Sequence, residues 1–177
     1  MFLTEFFGHF SLSAFTMWAF MMAFLFNVFV YSIGNKRNTT LLLSSLIMFI
    51  SYSSYEYFLD WLSIYALTYL DLAIYDGCTI AALLIAKHFI KTSSSSLLYL
   101  IFGLSTNLSL ALCMQLDTFI LRNSEPWFFW DFYTFSVITI DLLMAVSLIV
   151  DRDFLGLHKL KSKLCGLFKS TKPQPTT

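Results

Sequence analysis

The sequence predicts an all-α integral membrane protein: a bundle of about five transmembrane helices, four under an alternative partition, followed by a C-terminal amphipathic cytoplasmic helix. Three observations carry that expectation. Of 177 residues 58% are hydrophobic and only 12% charged, with a mean hydropathy of +0.71, whereas a soluble domain of this size needs far more charge to cover its surface. Apolar runs recur at lengths that fit a bilayer. The basic residues are segregated between those runs although the formal net charge is zero.

A bilayer span takes about 20 largely apolar residues. The runs at 11–33, 41–59, 69–90, 97–120 and 129–150 meet that requirement. The first follows MFLTEFFGHF, which has no basic n-region and no A-x-A-like exit, so it reads as a retained span and not as a cleaved signal. Between the second and third, EYFLDWLSIYALTYLD carries Glu56, Asp60 and Asp71; this segment either lies along the interface or extends the helices beyond the bilayer, and repartitioning it gives the four-span alternative. The membrane domain is 1–150, the juxtamembrane helix 151–170 and a disordered tail 171–177.

Loop charge sets the orientation. GNKRNTT and KHFIKTSSSS are basic, while the other connections hold Glu56, Asp60, Asp117, Glu125 and Asp131. An outside N-terminus and a cytoplasmic C-terminus place all the basic residues except Arg122 on one side. Trp61, Trp127 and Trp130 then fall at the outer interface, where amphipathic rings settle. The sequons at Asn38 and Asn107 fall in a cytoplasmic loop and inside a span, so neither is a glycosylation site. The spans contain no proline, which predicts continuous helices, without the broken helices and carbonyl filters of many transporters and channels.

Small and weakly polar faces mark helix contacts in lipid, where the hydrophobic effect does not draw helices together. Ala19 and Ala23 sit with Thr16 and Asn27 on one side of the first span. Ala73, Gly77 and Ala81 recur every fourth residue in the third. Ser109 and Cys113 share an arc of the fourth with Thr106 and Asp117. These stripes predict packing within one subunit, or between subunits of a homo-oligomer or membrane complex.

Three polar residues lie deep in spans: Asn27, Asp76 and Asp141. Asp71, by contrast, falls among the headgroups. A charge at the bilayer centre costs about 2.5–3.5 kcal/mol on insertion scales, so Asp141, near the middle of the fifth span, is cheapest as a neutral, hydrogen-bonded acid. Its candidate partners are Asn27, Thr106, Ser109, Tyr75 and Asp76. The same residue serves equally as helix glue or as a proton or ion site.

Enzyme signatures are missing. Asp76-Gly77 resembles the opening of the CDP-alcohol phosphotransferase pattern, but the arginine and the later glycine and aspartates of that pattern are absent. Tyr75-Asp76 with Asp141 resembles the intramembrane aspartyl proteases, yet no G-x-G-D occurs. His9, His88 and His158 are too scattered for a haem site, and Cys78, Cys113 and Cys165 have no metal or disulfide spacing. The expectation is a non-enzyme with no metal, no cofactor and no nucleic-acid partner.

The last stretch, DRDFLGLHKLKSKLCGLFKS, sets Phe154, Leu157, Leu160, Leu164 and Phe168 at helical spacing, with Lys159 and Lys163 opposite and Lys161 and Lys169 nearby. Such a helix lies on an anionic leaflet or docks a cytoplasmic protein. The combined reading is an oligomeric membrane anchor, sensor or pore-forming component that couples the bilayer to a cytoplasmic partner. The rivals are a small channel or proton-linked carrier using Asp76 and Asp141, and an immunity or defence component of a bacterial envelope. The composition favours a bacterial inner membrane over a eukaryotic one.

Overall fold

A computed structural model describes residues 2–33, 39–61, 69–90, 94–123 and 127–151, with side chains described outside 2–14 and 56–61. Five helices occupy nearly all of them: α1 (Phe2–Ser32), α2 (Thr39–Trp61), α3 (Tyr69–Ile90), α4 (Ser95–Gln115) and α5 (Phe128–Val150). The described residues contain no strand. Four stretches are long and apolar enough to cross a membrane, namely Phe15–Ser32, Tyr69–Ile90, Ser95–Ile120 and Phe128–Val150, while α2 offers the shorter apolar run Thr39–Tyr55. These are the marks of a multi-pass membrane protein. α2 continues through Glu56 and Asp60 to Trp61, so those carboxylates extend a helix. Residues 62–68, the juxtamembrane helix with Lys159, Lys161, Lys163 and Lys169, and the tail at 171–177 lie outside the described residues.

Each helix packs on its neighbour in sequence, and α5 returns to α1, so the five close a ring. Side-chain pairs fix the directions. Phe20 meets Tyr52 and Phe24 meets Phe49, which makes α1 and α2 antiparallel. Tyr55 against Tyr75 and Ser51 against Thr79 do the same for α2 and α3. The Leu70 amide donates to Gln115 Oε1, joining the start of α3 to the end of α4. One end of the bundle therefore gathers Ser32, Thr39, Ile90, Ser95 and Val150, next to the basic loops; the other gathers Trp61, Tyr69, Ile120 and Phe128. We refer to them as the basic end and the tryptophan end.

Local chemistry stops the helices where the sequence turns. Ser94, in extended backbone, caps α4 by accepting from the Leu97 amide, which supplies one of the acceptors that the first turn lacks. α5 ends at Asp151, which is in the left-handed region at φ 47° with its amide donating to Ser147 O; Asp tolerates that conformation better than most residues. Ser96 Oγ, at the start of α4, lies 2.6 Å from Ser147 O and 3.0 Å from Asp151 Oδ1. The basic ends of α4 and α5 are thus tied together.

At the opposite end α4 widens into a π-helical turn, Leu116–Ile120, and stops at Arg122 with φ 51°. The turn carries Asp117 inward. Its Oδ2 accepts from the Trp127 indole at 2.9 Å and the Trp130 indole at 3.3 Å. Trp127 and Trp130 therefore do more than sit at an interface: they clasp α5 to the end of α4.

Among the described residues the basic half of the ring is filled. Met48, Leu83, Leu100 and Leu148 are fully buried there and Met144 nearly so, with Phe20 buried at the level of Tyr52. Contacts of α2 with α4 and α5 cross the ring. At Gly103 α5 packs close on α4: a Cβ on that residue would lie 2.5 Å from Met144 Sδ and 3.2 Å from Ile140 Cγ2. Glycine is needed there for proximity, a common device in membrane helix pairs.

Candidate functional site

Asp141 is 4% exposed and faces the middle of the ring. Tyr52 Oη from α2 donates to its Oδ1 at 2.7 Å, and Asn107 Nδ2 from α4 donates to the same oxygen at 2.8 Å. Three helices thus converge on one carboxyl. Phe20 of α1 packs its ring against Tyr52 at 4.4 Å between centroids, fixing the tyrosine that fixes the aspartate. Asp76 of α3 lies within electrostatic range of both Asp141 and Tyr52.

A second polar contact lies beside this one. The Thr79 hydroxyl donates to the Tyr75 carbonyl at 2.9 Å, which uses its only proton. Ser51, hydrogen-bonded to Thr79 Oγ1, must then be the donor of that pair. Asn107 Oδ1 has no partner although the residue is 4% exposed. That unmet acceptor adjoins Asp141, where a water or an acid proton would satisfy it.

Asn27 is buried as its depth implies, but it binds Leu148 O through Nδ2 at 3.2 Å and joins α1 to α5 away from Asp141. Thr106 and Ser109, two other candidate partners for Asp141, donate instead to the carbonyls of Phe102 and Ser105 on their own helix. A helix turns 100° per residue, so Asn107 points inward where Thr106 and Ser109 cannot. Asp76 is the one residue among the sequence-derived candidates in electrostatic range of Asp141; Tyr52 and Asn107 were not among them. A mid-span asparagine is a readable signal, whereas Tyr52 stands among serines and tyrosines in SYSSYEY and nothing local separates it from them.

The small-residue stripes divide. Ala23 and Ala73 are buried, Ala19 packs on the core, and Gly77 faces Leu108. Ala81, Ser109 and Cys113 are exposed on the outside of the chain. The inward face of α4 is instead Leu100, Gly103, Leu104, Asn107, Ala111 and Met114. Cys78 is exposed too.

The described residues hold no cluster of His, Cys, Asp or Glu able to bind a metal ion. The arrangement offers two carboxyls at one level of the bundle, Asp141 flanked by a phenol and an amide, in a layer where the described residues supply no cation. No family model, curated protein or solved structure matches the chain. The reading of its function therefore rests on this geometry alone.

Proposed function

We propose that the chain is a non-enzymatic, proton-responsive membrane protein, in which the Asp76–Asp141 pair takes up a proton and the packing of the ring follows. The observation that carries this is the enclosed Asp141 carboxyl, held by donors from two other helices with a second carboxyl in range. An asparagine would supply interhelical hydrogen bonds at less cost in a membrane. What aspartate adds is a proton that can leave. Protonation alters the charge at a point where α2, α4 and α5 meet, so it biases helix packing, and in this reading the basic C-terminal sequence passes that change to a cytoplasmic partner or an anionic leaflet.

The filled basic half favours this over a standing pore. In this reading all five helices span, with the N-terminus outside and the C-terminal amphipathic helix in the cytoplasm, in accord with the loop charges. A reporter fused after Glu125 should read the outer side, and a cytoplasmic signal there sinks that orientation.

The decisive test compares proton uptake by the purified protein with that of Asp141→Asn, which keeps size and hydrogen-bonding capacity. Across the neutral range the variant should bind one proton fewer per chain while the mass of the solubilised complex stays the same. Equal uptake by the two proteins would reduce Asp141 to helix glue. Proton flux in liposomes that disappears in Asp141→Asn would assign a carrier; uptake without flux assigns a sensor.

A further inference from the structure

Tyr52 and Asn107 donate to one and the same oxygen of Asp141, Oδ1, at 2.7 Å and 2.8 Å. A carboxylate oxygen offers two lone-pair directions, and both of those on Oδ1 are taken. A proton arriving at Asp141 therefore settles on Oδ2. The acid O–H so formed needs an acceptor of its own, because Asp141 is 4% exposed and a buried donor left unmet is costly.

The described residues hold enclosed, unpartnered side-chain oxygens on Asn27, Ser44, Ser53 and Asn107. Position separates them. Asn27 bonds Leu148 O, which lies about 10 Å along α5 from Asp141 toward the basic end. Ser44 lies about 12 Å along α2 from Tyr52, and Ser53 is turned about 100° from that tyrosine. Asn107 Oδ1 belongs to the amide that already touches Asp141, and the residue is 4% exposed.

Resting on the proton-binding reading above, we infer that Asn107 is the residue that holds the proton on Asp141: the acid donates from Oδ2 to Asn107 Oδ1 while Asn107 Nδ2 donates to Asp141 Oδ1, closing an acid–amide ring. Each group is planar and sets a donor beside an acceptor, so the two match without moving either backbone. One proton leaves water and binds Oδ2, the carboxylate becomes the neutral acid, and the amide is unchanged. Ionised, Asp141 takes one bond from α4 and one from α2. Protonated, it gains a second bond to α4, and the Tyr52 bond loses its charge assistance and weakens. The hold of Asp141 thus shifts from α2 toward α4, the helix that Gly103 already brings close to Met144 and Ile140. The titratable groups described at this level are Tyr52 and Tyr55 from α2, Asp76 and Tyr75 from α3 and Tyr133 from α5 itself; α4 contributes the non-titrating Asn107, and α1 contributes Phe20 against Tyr52.

The test uses the full-length protein in liposomes, isotopically labelled at the side-chain carbonyls of asparagine, with infrared difference spectra recorded as pH is lowered through the neutral range. The acid carbonyl band of Asp141 should rise together with a shift of one labelled amide carbonyl to lower frequency, the mark of a carbonyl that gains a hydrogen bond. Both changes should vanish in Asp141→Asn, which keeps the size of the residue and carries no acid. An acid band that rises without the amide shift overturns the pairing and leaves proton binding standing. The absence of any acid band overturns proton binding itself, so the two failures are distinct. In Asn107→Leu, which has the shape of asparagine without its polar atoms, the acid band should move to higher frequency, and a band that stays in place also overturns the pairing. The labelled parent protein decides the point alone if that variant does not fold.

Discussion

The two stretches of α5 on either side of Asp141 are packed differently. In α5, Met144, Ala145, Ser147 and Leu148 are buried, while residues 127–140 of the same helix contain no buried position. Residues 142–150 are almost wholly aliphatic, whereas 128–140 mix aromatic rings with Asp131, Thr134, Ser136 and Thr139, so composition already separates the two. They also differ in shape. Aliphatic and small side chains interdigitate without gaps, whereas tyrosines, with rigid rings and a hydroxyl that seeks a partner, leave edges and polar tips between helices.

The boundary between the halves is the sharpest place to break the comparison. Asp141→Leu would leave Tyr52 Oη and Asn107 Nδ2 without their acceptor. Its expected cost is about 1–2 kcal/mol, set by stranded buried donors and by interhelical hydrogen bonds measured in membranes. Asp141→Asn, which retains an acceptor, should cost far less. Reversible unfolding in mixed micelles measures both. Equal stability of the two variants would show that the hydrogen bonds around Asp141 carry no structural weight.

Gly103 probes the packed half. Gly103→Leu drives a side chain at Met144 and Ile140, where even a Cβ would be too close, and should cost about 1 kcal/mol as α4 and α5 separate. Gly103→Ala should cost less, because the Met144 thioether is flexible. A cavity of about 120 Å³ lined by Phe102, Thr106 and Leu143 beside it gives the displaced methionine somewhere to move. If Gly103→Leu unfolds at the same denaturant activity as the parent protein, the tight crossing is not required.

The smallest effect belongs to the less buried stretch of α5. Tyr133→Phe removes the hydroxyl of a partly exposed residue and should change stability by less than about 0.5 kcal/mol. A loss as large as that of Asp141→Leu would mean that Tyr133 is structural, and that the two halves are more alike than their burial implies.

Much of this was legible in the sequence. Helices α2 to α5 appear close to the predicted bounds because each apolar run is long and bordered by polar loops, whereas α1 begins at Phe2, well before the predicted start at 11. The depth of Asp76 and Asp141 follows from counting residues along a rise of 1.5 Å each. What escaped was rotation about the helix axis. Ser109, Cys113 and Ala81 form stripes as regular as Ala19 with Ala23, yet they face outward. In lipid, small residues are tolerated on either face, so spacing alone cannot say which stripe meets a neighbour.

The chain by itself thus determined the all-helical, multi-pass class and the presence of carboxyls far from either end, because these depend on hydropathy and length along one dimension. Only the tertiary structure decided that Tyr52 and Asn107, 55 residues apart, meet on one oxygen of Asp141 and that Asp117 is clasped by two tryptophans. These depend on which faces turn inward when five helices close a ring. That choice is a property of all five surfaces packed together, and no single segment contains it.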